Sequence, residues 1–390
     1  MRQFAMPDAI ADPRVFTEAI DAVHAPLIEM AQASLAATSA TRAEEIGAAL
    51  TSALVERLCS GETLLLAEAI AAAPSPAVAR TLWRCLIEAW GRASRARAPG
   101  VAVTLFALPV VVVAAREADA DETRAAPMIP GLLPDTARLV AIMREHRALS
   151  GNEAFGLAPA LVASDAVDVP RLGELLALQR LGVGEAVERD LPPTPITLQS
   201  GQQSVHLRFL IGTALAAPGI DVLSGSTPAG WALPLAQELA RQLAAPEVSV
   251  LALPRAPQWP PAALQQGRSA QREVGAQLFA SNAIRKLRGA VGEPSAVISA
   301  HRCAGAPGGG ELRLSLSSPF DPRQAEGFRC PLFATERAGD VATMLLDLLR
   351  DCRVADVRVL PGVHPDRDPQ TGMVLLFKPD VAAGTEPTLH

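Results

Sequence analysis

Residues 101–115 read VAVTLFALPVVVVAA, an apolar run flanked by Arg97 and Arg116. A helix that crosses a membrane needs about 20 such residues, so this run is too short to span one. Its β-branched side chains favour β-structure, and Pro109 has no N–H to donate to a strand ladder. The run therefore predicts one or two buried strands with a break at the proline.

The first hundred residues carry helical signals instead. Thr41 and Glu44 form a capping-box pattern, and Gly61 supplies a stop signal. Ser75 is the cap of the next predicted helix, which we expect to end near Gly91.

Two more helices are predicted after the apolar run, capped by Asp135 and Asp168. Residues 183–202 then lose helical periodicity and gain proline and glycine. Such a change is typical of a domain boundary. We expect a helix-rich domain over residues 1–190 and an α/β domain over residues 191–390.

The hydrophobic period changes from 3.6 to 2 beyond this boundary. Apolar and polar residues alternate over 205–209, which predicts a half-buried strand. A short strand at 220–223, a helix around 233–243 and a strand at 248–253 follow in that order. This order predicts a βαβ unit and hence a partly parallel sheet.

The last third adds a long helix at about 262–289 and a hairpin whose strands are 296–303 and 311–317. Further strands are expected at 328–334 and 354–360. The predicted fold class is mixed α/β. Its N-terminal half is helix-rich with a buried apolar strand segment, and its C-terminal half has a partly parallel mixed sheet and a β-hairpin.

Charge and cysteine usage exclude some classes of function. The net charge of −6 argues against a general nucleic-acid coat, because such binding requires clustered cations. The five cysteines are widely spaced without a CxxC pair, which is typical of reduced thiols in a cytoplasmic protein. Asp8, Asp12 and Pro13 interrupt any signal-peptide core, so export is not expected. The arginine-rich, tyrosine-free composition is typical of a GC-rich bacterial coding sequence.

A glycine-rich loop is the most suggestive chemical feature. Strand-to-helix loops of this kind cradle phosphate with backbone N–H groups. Trp231 and Ala232 follow the second glycine, where a P-loop has Lys and Ser or Thr. A plain turn is therefore the favoured interpretation, with phosphate or nucleotide binding as the alternative. The candidate ligand-binding residues are Ser224, Gly225, Ser226, Thr227 and Gly230.

His301 and Cys303 lie two residues apart on a predicted strand, hence on one face. They suggest a nucleophile pair, or a metal pair completed by Cys330 or His364. Packing is the favoured interpretation because no third partner is defined.

Two further patterns have structural explanations. Residues 366–372 place oxygen atoms at alternating positions as calcium loops do, but the terminal Glu is missing, so a hairpin turn is favoured. Arg285, Lys286 and Arg288 share one helix and are interpreted as a solvated face rather than a nucleic-acid site.

The sequence thus predicts no catalytic residue, no metal ligand and no cofactor. We expect a non-enzymatic cytoplasmic protein that acts through protein–protein contacts, as an assembly, adaptor or scaffold component. A protein partner or a homo-oligomer is expected, without membrane or nucleic-acid binding. The alternative is an α/β enzyme or a nucleotide- or phosphate-binding protein with its site at residues 224–230.

Overall fold

The computed structural model describes residues 13–96, 102–115, 128–150, 154–179, 191–197, 203–216, 223–245, 247–253, 256–288, 293–303, 310–318, 325–354, 356–367 and 374–376. The helices are α1 (Pro13–Ala36), α2 (Ala40–Ser60), α3 (Thr63–Ala71), α4 (Pro76–Ala96), α5 (Thr136–Glu145), α6 (Leu172–Leu178), α7 (Ala232–Leu243), α8 (Pro260–Arg288) and α9 (Ala338–Asp351). The strands are β1 (Ala102–Ala115), β2 (Met128–Ile129), β3 (Phe155–Ala163), β4 (Ile196–Thr197), β5 (Gln203–Ala216), β6 (Val248–Ala252), β7 (Ser295–Arg302), β8 (Gly310–Ser317), β9 (Ala325–Pro331) and β10 (Asp356–Pro365).

The apolar run is the central part of a four-stranded antiparallel sheet, the first sheet, with the order β3-β5-β1-β6. β1 and β5 pair over their full length, from Ala102 opposite Ala216 to Ala115 opposite Gln203. β6 pairs with the other side of β1. β1 thus has a partner on each side, and its residues from Leu105 to Ala114 are buried, as the sequence predicts for the apolar run.

The predicted break at Pro109 is wrong, since β1 is one continuous strand. Ala107 exchanges two backbone hydrogen bonds with Gln258, at 2.8 and 3.1 Å, and the ladder with β6 begins at Val110. On a strand, N–H groups two residues apart point to the same side, so the Pro109 nitrogen points to the same side as the Ala107 N–H. It lies between the pairing of Ala107 with Gln258 and the start of the ladder with β6. The missing N–H therefore removes no ladder hydrogen bond.

Helices cover both faces of the first sheet. One face packs against α1 to α4, α6 and the start of α8. The opposite face packs against α5 and α7. The strand residues of the first face include Leu105, Ala107, Leu207, Phe209 and Ile211, and those of the second include Phe106, Leu108, Val110, Val112 and Leu210.

A second sheet has the order β10-β7-β8-β9. β10 runs parallel to β7, and the other neighbours are antiparallel. β7 and β8 form the predicted hairpin, in register from Ser295 opposite Ser317 to Arg302 opposite Gly310. The mixed α/β class, the hairpin and a partly parallel sheet in the C-terminal half are thus confirmed, but the parallel pair is β10 with β7 and not the predicted βαβ unit, whose last strand is β6 of the antiparallel first sheet.

The long helix α8 connects the two sheets. It has 29 residues and is therefore about 43 Å long. Ala263 and Leu264 in its first turns belong to the core on the first sheet. Ala280 and Leu287 in its second half belong to the core on the second sheet, together with Leu345 of α9.

The first sheet takes strands from both sides of residue 190, because β1 and β3 precede that residue while β5 and β6 follow it. The division into two domains at residue 190 stays a prediction. Residues 220–222 of the predicted βαβ unit lie outside the described residues, and Leu223 is in a turn. β5 and β6 nevertheless run in the same direction, since both are antiparallel to β1.

The start of α2 differs from the predicted capping box. Ser39 is the cap, and its Oγ accepts a hydrogen bond from the Arg42 N–H at 3.2 Å. The box at Thr41 and Glu44 is therefore wrong by two residues. The stop at Gly61 is confirmed, since this glycine has a φ of 78°, which L side chains rarely adopt.

The start of α4 agrees with the sequence, but its end does not. Ser75 Oγ accepts from the Val78 N–H at 3.4 Å, whereas the helix continues past Gly91 to Ala96. A Cβ at Gly91 would lie 2.5 Å from the Trp259 ring. This glycine therefore allows close packing and does not end the helix.

The cap at Asp135 is confirmed, since its side chain accepts a hydrogen bond from the Arg138 N–H at 3.0 Å. Asp168 accepts from the Val169 N–H at 2.8 Å, but it caps a short 3-10 turn, Val169–Arg171, and α6 itself begins at Leu172 without a side-chain cap. Across the described ranges, no helix is both long enough and apolar enough to cross a membrane.

Candidate functional site

The glycine-rich loop of the sequence lies against the C-terminal end of α5. The Ser226 N–H donates to the Arg147 carbonyl at 2.7 Å, and Ser226 Oγ donates to the His146 carbonyl. A Cβ at Gly225 would lie 2.2 Å from the Ala148 carbonyl oxygen, so only glycine fits there. The loop therefore pairs with the carbonyls of the two residues that follow α5.

Ser224, Gly225 and Ser226 also line an open cleft of about 970 Å³, together with Arg144 and Arg147. Neither arginine forms an ion pair with the described residues. Two cations beside the loop favour an anion, but cations are also stabilised at a helix C-terminus such as that of α5. The cleft thus offers positive charge, while the Ser226 N–H is already used within the fold.

Thr227 and Gly230 are not part of this cleft lining. Thr227 makes no side-chain capping hydrogen bond, and its carbonyl accepts from the Gly230 N–H at 3.3 Å. Trp231, which stands where a P-loop has its lysine, is fully buried in the core. Trp231 therefore has a packing role, and the loop lacks the lysine with which a P-loop binds phosphate.

A buried polar cluster lies on one face of the second sheet. Alternation along β8 places Leu312, Leu314 and Leu316 on the helix-covered face, and Glu311 and Arg313 on the opposite one. Those two polar side chains are buried as well. One ligand-type atom from each of Cys303, Glu311 and Asp366 lies within 4.8 Å of the other two.

Two arginines compensate the charges of this cluster. Arg313 is fully buried and donates from Nε to Glu311 at 2.5 Å, and it also bonds to the Asp366 carboxylate. Arg329 Nε donates to both Glu311 oxygens, at 2.9 and 3.0 Å. A metal ion here would have to displace a guanidinium group, so the cluster does not fit a resident metal.

The pKa values follow from burial and from these arginines. Burial raises the pKa of the Cys303 thiol, and the nearby carboxylates act in the same direction. Burial also opposes ionisation of Glu311 and Asp366, but the arginine hydrogen bonds outweigh it and lower both pKa values. The cluster therefore contains two carboxylates, two guanidinium groups and a protonated thiol.

His301 is held in a neutral form. Its Nδ1 bonds to the Pro365 carbonyl at 2.9 Å, so Nδ1 carries the proton, and Nε2 accepts from Ser299 Oγ at 2.8 Å. Burial lowers the pKa of His301. A protonated thiol at Cys303 and a histidine with both nitrogens engaged do not make an activated nucleophile.

The proposed partners of this pair are divided between the two faces of the sheet. Cys330 lies opposite Leu312 in the helix-packed core, away from His301. The His364 ring is near, 5.8 Å from the His301 ring between centroids. In the calcium-like loop, Asp366 is bound by Arg313, and residues 368–372 lie outside the described residues.

A groove of about 730 Å³ follows α8 and is bounded by β9 and the start of β5. We name it the α8 groove. Three phenylalanines, Phe279, Phe328 and Phe333, contribute its aromatic surface, and Phe279 stacks on Phe328 with 5.3 Å between ring centroids. The basic residues that line it are Arg268, Arg272, Arg285, Lys286 and Arg329.

Most of these cations have partners within the fold. Arg272 is paired with Glu336 at 2.5 Å, Lys286 with Glu326 at 3.0 Å, and Arg268 with Asp168 at 2.9 Å. Arg285 donates to the amide oxygen of Asn282 at 2.6 Å. Arg288 does not line the groove and pairs with Glu293.

Sequence reasoning missed the α8 groove, although a signal was present. The groove residues on α8 recur every three or four positions from Arg268 to Lys286, which is the period of one helix face. Phe328 and Phe333 come from a distant part of the chain, so their approach to α8 depends on the tertiary fold.

Comparison with protein-family models, with characterised proteins and with solved structures finds no match for this chain.

Proposed function

We propose that this protein is a non-enzymatic binding protein that acts through protein–protein contacts, as an assembly, adaptor or scaffold component. In this proposal, the α8 groove holds an acidic segment of a protein partner that also carries apolar side chains. The proposal rests on the combination of an aromatic surface with arginines in one groove. Protein interfaces are enriched in these residue types.

Charge supports an acidic partner. The groove is lined by five basic residues and by one carboxylate, Glu326, although the whole chain has a net charge of −6. Arg285 is exposed, and the Lys286 and Arg329 side chains are 67% and 52% exposed. These three cations are therefore accessible to carboxylates of a partner, which would add to the existing pairs.

The floor of the groove supports an apolar contact. Arg268 and Arg272 lie over the Phe333 ring, at 5.2 and 5.7 Å from its centroid. A Cβ at Gly275 would approach Phe328 to 3.2 Å, so this glycine lets the Phe328 ring pack closely against α8. An aromatic or aliphatic side chain of the partner would contact the phenylalanines between the flanking cations.

The polar cluster supports the non-enzymatic part of the proposal, because its carboxylates are bound by Arg313 and Arg329 and its thiol is protonated. The five cysteines all lie in the described residues, and none forms a disulfide. Free thiols are typical of a reducing compartment, so a cytoplasmic location stays part of the proposal.

A second candidate is anion binding, in a nucleotide- or phosphate-binding protein or an α/β enzyme. The observation that favours it is the cleft in which Arg144 and Arg147 accompany the loop residues Ser224 to Ser226. The engaged Ser226 N–H and the buried Trp231 make it the weaker candidate.

The test is selection of peptides from a displayed random library on the purified protein, followed by affinity measurement at two salt concentrations. We expect the selected peptides to combine Asp or Glu with an aromatic or leucine residue. The double variant Arg285→Glu, Lys286→Glu should bind them at least tenfold more weakly, and high salt should also weaken binding.

Arg42→Glu is the matched control, because Arg42 is an exposed arginine of α2 outside the groove. Selected peptides without acidic residues, or equal binding by the double variant, would overturn the proposal. So would preferential binding of single-stranded nucleic acid that depends on Phe279, because basic grooves with aromatic residues also bind such strands. If a second copy of the chain occupied the groove instead, the protein would be a dimer, and the double variant would be a monomer.

A further inference from the structure

β9 is an edge strand of the second sheet and borders the α8 groove. Among the described strands it pairs only with β8. Four of its residues line the groove, namely Glu326, Phe328, Arg329 and Pro331. Edge strands carry backbone N–H and C=O groups without a ladder partner, and an extended chain can pair with such groups. The groove therefore offers backbone groups in addition to its aromatic and basic side chains.

The register of β9 shows which backbone groups point away from β8. Leu332, directly after β9, donates its N–H to the Gly310 carbonyl at 3.0 Å, so its backbone groups point towards β8. Backbone groups two residues apart on a strand point to the same side, so those of the even-numbered residues of β9 also point towards β8. The N–H and C=O groups of Ala325, Gly327 and Arg329 therefore point outwards.

The contacts of Pro331 agree with this orientation. It too occupies an outward position, so its missing N–H removes no hydrogen bond to β8. Its carbonyl accepts from Arg272 Nη1 at 3.4 Å, and both residues line the groove. Gly327 and Arg329 are exposed, and no other described segment pairs with their outward groups. These groups are thus accessible beside the groove.

The other edge strand of this sheet, β10, is less regular. Its register with β7 shifts between Val359 and Val363, and the interruption contains Pro361 and Gly362, which has a φ of 83°. Bulges and prolines are devices that keep edge strands from pairing with other chains. β9 shows no register shift along its length. Of these two edges, the one beside the groove is therefore suited to accept another strand.

We propose that the partner segment binds in an extended conformation and adds a strand to the edge of β9. This inference rests on the proposed function, in which the α8 groove is the partner site. Pairing from Ala325 to Arg329 spans about 16 Å of the added strand. Main-chain hydrogen bonds to β9 supply affinity, and alternate side chains of the segment face α8.

The surroundings of β9 indicate the sequence pattern of the added strand. Phe328 packs against the helix-covered core and stacks on Phe279, so side chains on this side are apolar. Side chains on the other side lie beside Arg329, whose side chain is 52% exposed. A carboxylate at the end of the strand reaches Lys286, which lies 3.0 Å from Glu326. The pattern that matches both sides is an alternation of apolar and acidic residues.

The probes are two synthetic peptides of the same composition with acetyl and amide ends. In the strand peptide Asp and Leu alternate, and in the helix peptide Leu recurs every three or four positions. We expect the strand peptide to bind about tenfold more tightly, because only its pattern places all leucines on one side of a strand. The variant Arg285→Glu, Lys286→Glu should weaken this binding.

Backbone pairing is tested by N-methylation of the strand peptide, one residue at a time. Only alternate N–H groups of an added strand face β9, so methyl groups at alternate positions should weaken binding about tenfold, and those between them should have little effect. Hydrogen exchange of the Gly327 and Arg329 N–H groups should slow in the complex. The Phe328 N–H, already in the ladder with β8, is the internal control.

Ala325→Pro removes one outward N–H at the first position of β9, where a strand tolerates proline. It should weaken the strand peptide about tenfold, whereas Ala325→Val, which keeps the N–H, should bind normally. If Ala325→Pro does not fold, the methylation series and the exchange of Gly327 still decide.

Failure of the added strand is distinguishable from failure of the partner site. Preference for the helix peptide, equal effects of methylation at all positions, or unchanged exchange at Gly327 would overturn the added strand. The partner site would stand in those cases if the double variant still lost binding. Failure of both peptides to bind would also overturn the added strand, and peptides selected from the library would then decide the partner site by themselves.

Discussion

Arg313 and Glu311 form an ion pair in the second sheet, with 2.5 Å between Nε and the carboxylate and with side chains that are 0% and 5% exposed. Both residues belong to β8, two positions apart, and so lie on the same face. Arg313 also bonds to the carbonyls of Asp366 and Leu375, at 2.8 and 2.6 Å. The pair therefore connects the hairpin to the segment that follows β10.

Arg313→Met should lower the free energy of unfolding by about 3–5 kcal/mol, because Glu311 and Asp366 both lose a fully buried guanidinium and keep only the half-exposed Arg329 beside them. Urea unfolding measures this change. Arg350→Met is the control, since Arg350 pairs with Asp347 on the surface and should contribute under about 1 kcal/mol. An Arg313 variant as stable as the control would contradict the structural role of the cluster.

Stability should decrease as the pH falls below about 6.5. Burial lowers the pKa of His301, so the unfolded chain, with a histidine pKa near 6.5, binds its proton more tightly than the folded protein does. The contribution of this pKa difference to the free energy of unfolding is therefore fully present above pH 6.5 and is lost as the pH falls. His206 shifts in the same direction, so His301→Asn should reduce the slope between pH 7.5 and 5.5 without removing it. An unchanged slope would exclude the histidine as its source.

Two helical glycines should respond oppositely to alanine. Gly91→Ala places a Cβ 2.5 Å from the Trp259 ring and should cost about 1–3 kcal/mol. Gly47→Ala meets nothing within 4 Å in the interior of α2 and should stabilise by about 0.5–1 kcal/mol. Thermal unfolding of both variants decides this, and stabilisation by both would mean that Trp259 moves freely.

All five thiols should titrate with a disulfide reagent in denaturant, because none of them forms a disulfide in the structure. In the native protein, exposed Cys59 should react first. Cys330 should react last, since burial raises the pKa of its thiol to about 12. Mass spectrometry of the labelled peptides gives the order, and fewer than five reactive thiols in denaturant would refute the prediction.

ATP, GTP, NAD and coenzyme A at millimolar concentration should leave the melting temperature unchanged. The Ser226 N–H already bonds to the Arg147 carbonyl, and the buried Trp231 replaces a phosphate-binding lysine. A nucleotide at 100 times its dissociation constant would stabilise the fold by about 2.7 kcal/mol, which a melting curve detects. A reproducible rise that Arg144→Ala and Arg147→Ala remove would favour the anion-binding alternative.

The sequence by itself determined the features that depend on neighbours along the chain. The caps at Ser75 and Asp135, the stop at Gly61 and the β-structure of the apolar run were readable because each needs only a few adjacent residues. The mixed fold class and the hairpin followed from the same periodicities. Gly91 shows the limit, because its role depends on Trp259, which is distant in sequence.

Only the tertiary structure decided which faces are buried and which distant residues meet. Alternation placed Glu311 and Arg313 on one face of β8, but a pattern of polar residues normally indicates solvent. Burial of that face depends on Asp366 and Leu375, which arrive after β10. The α8 groove likewise forms between segments far apart in the chain. The period of three or four residues along α8 marks one side of the groove, but the approach of distant segments leaves no local pattern, and so no single stretch of the sequence could predict the whole groove.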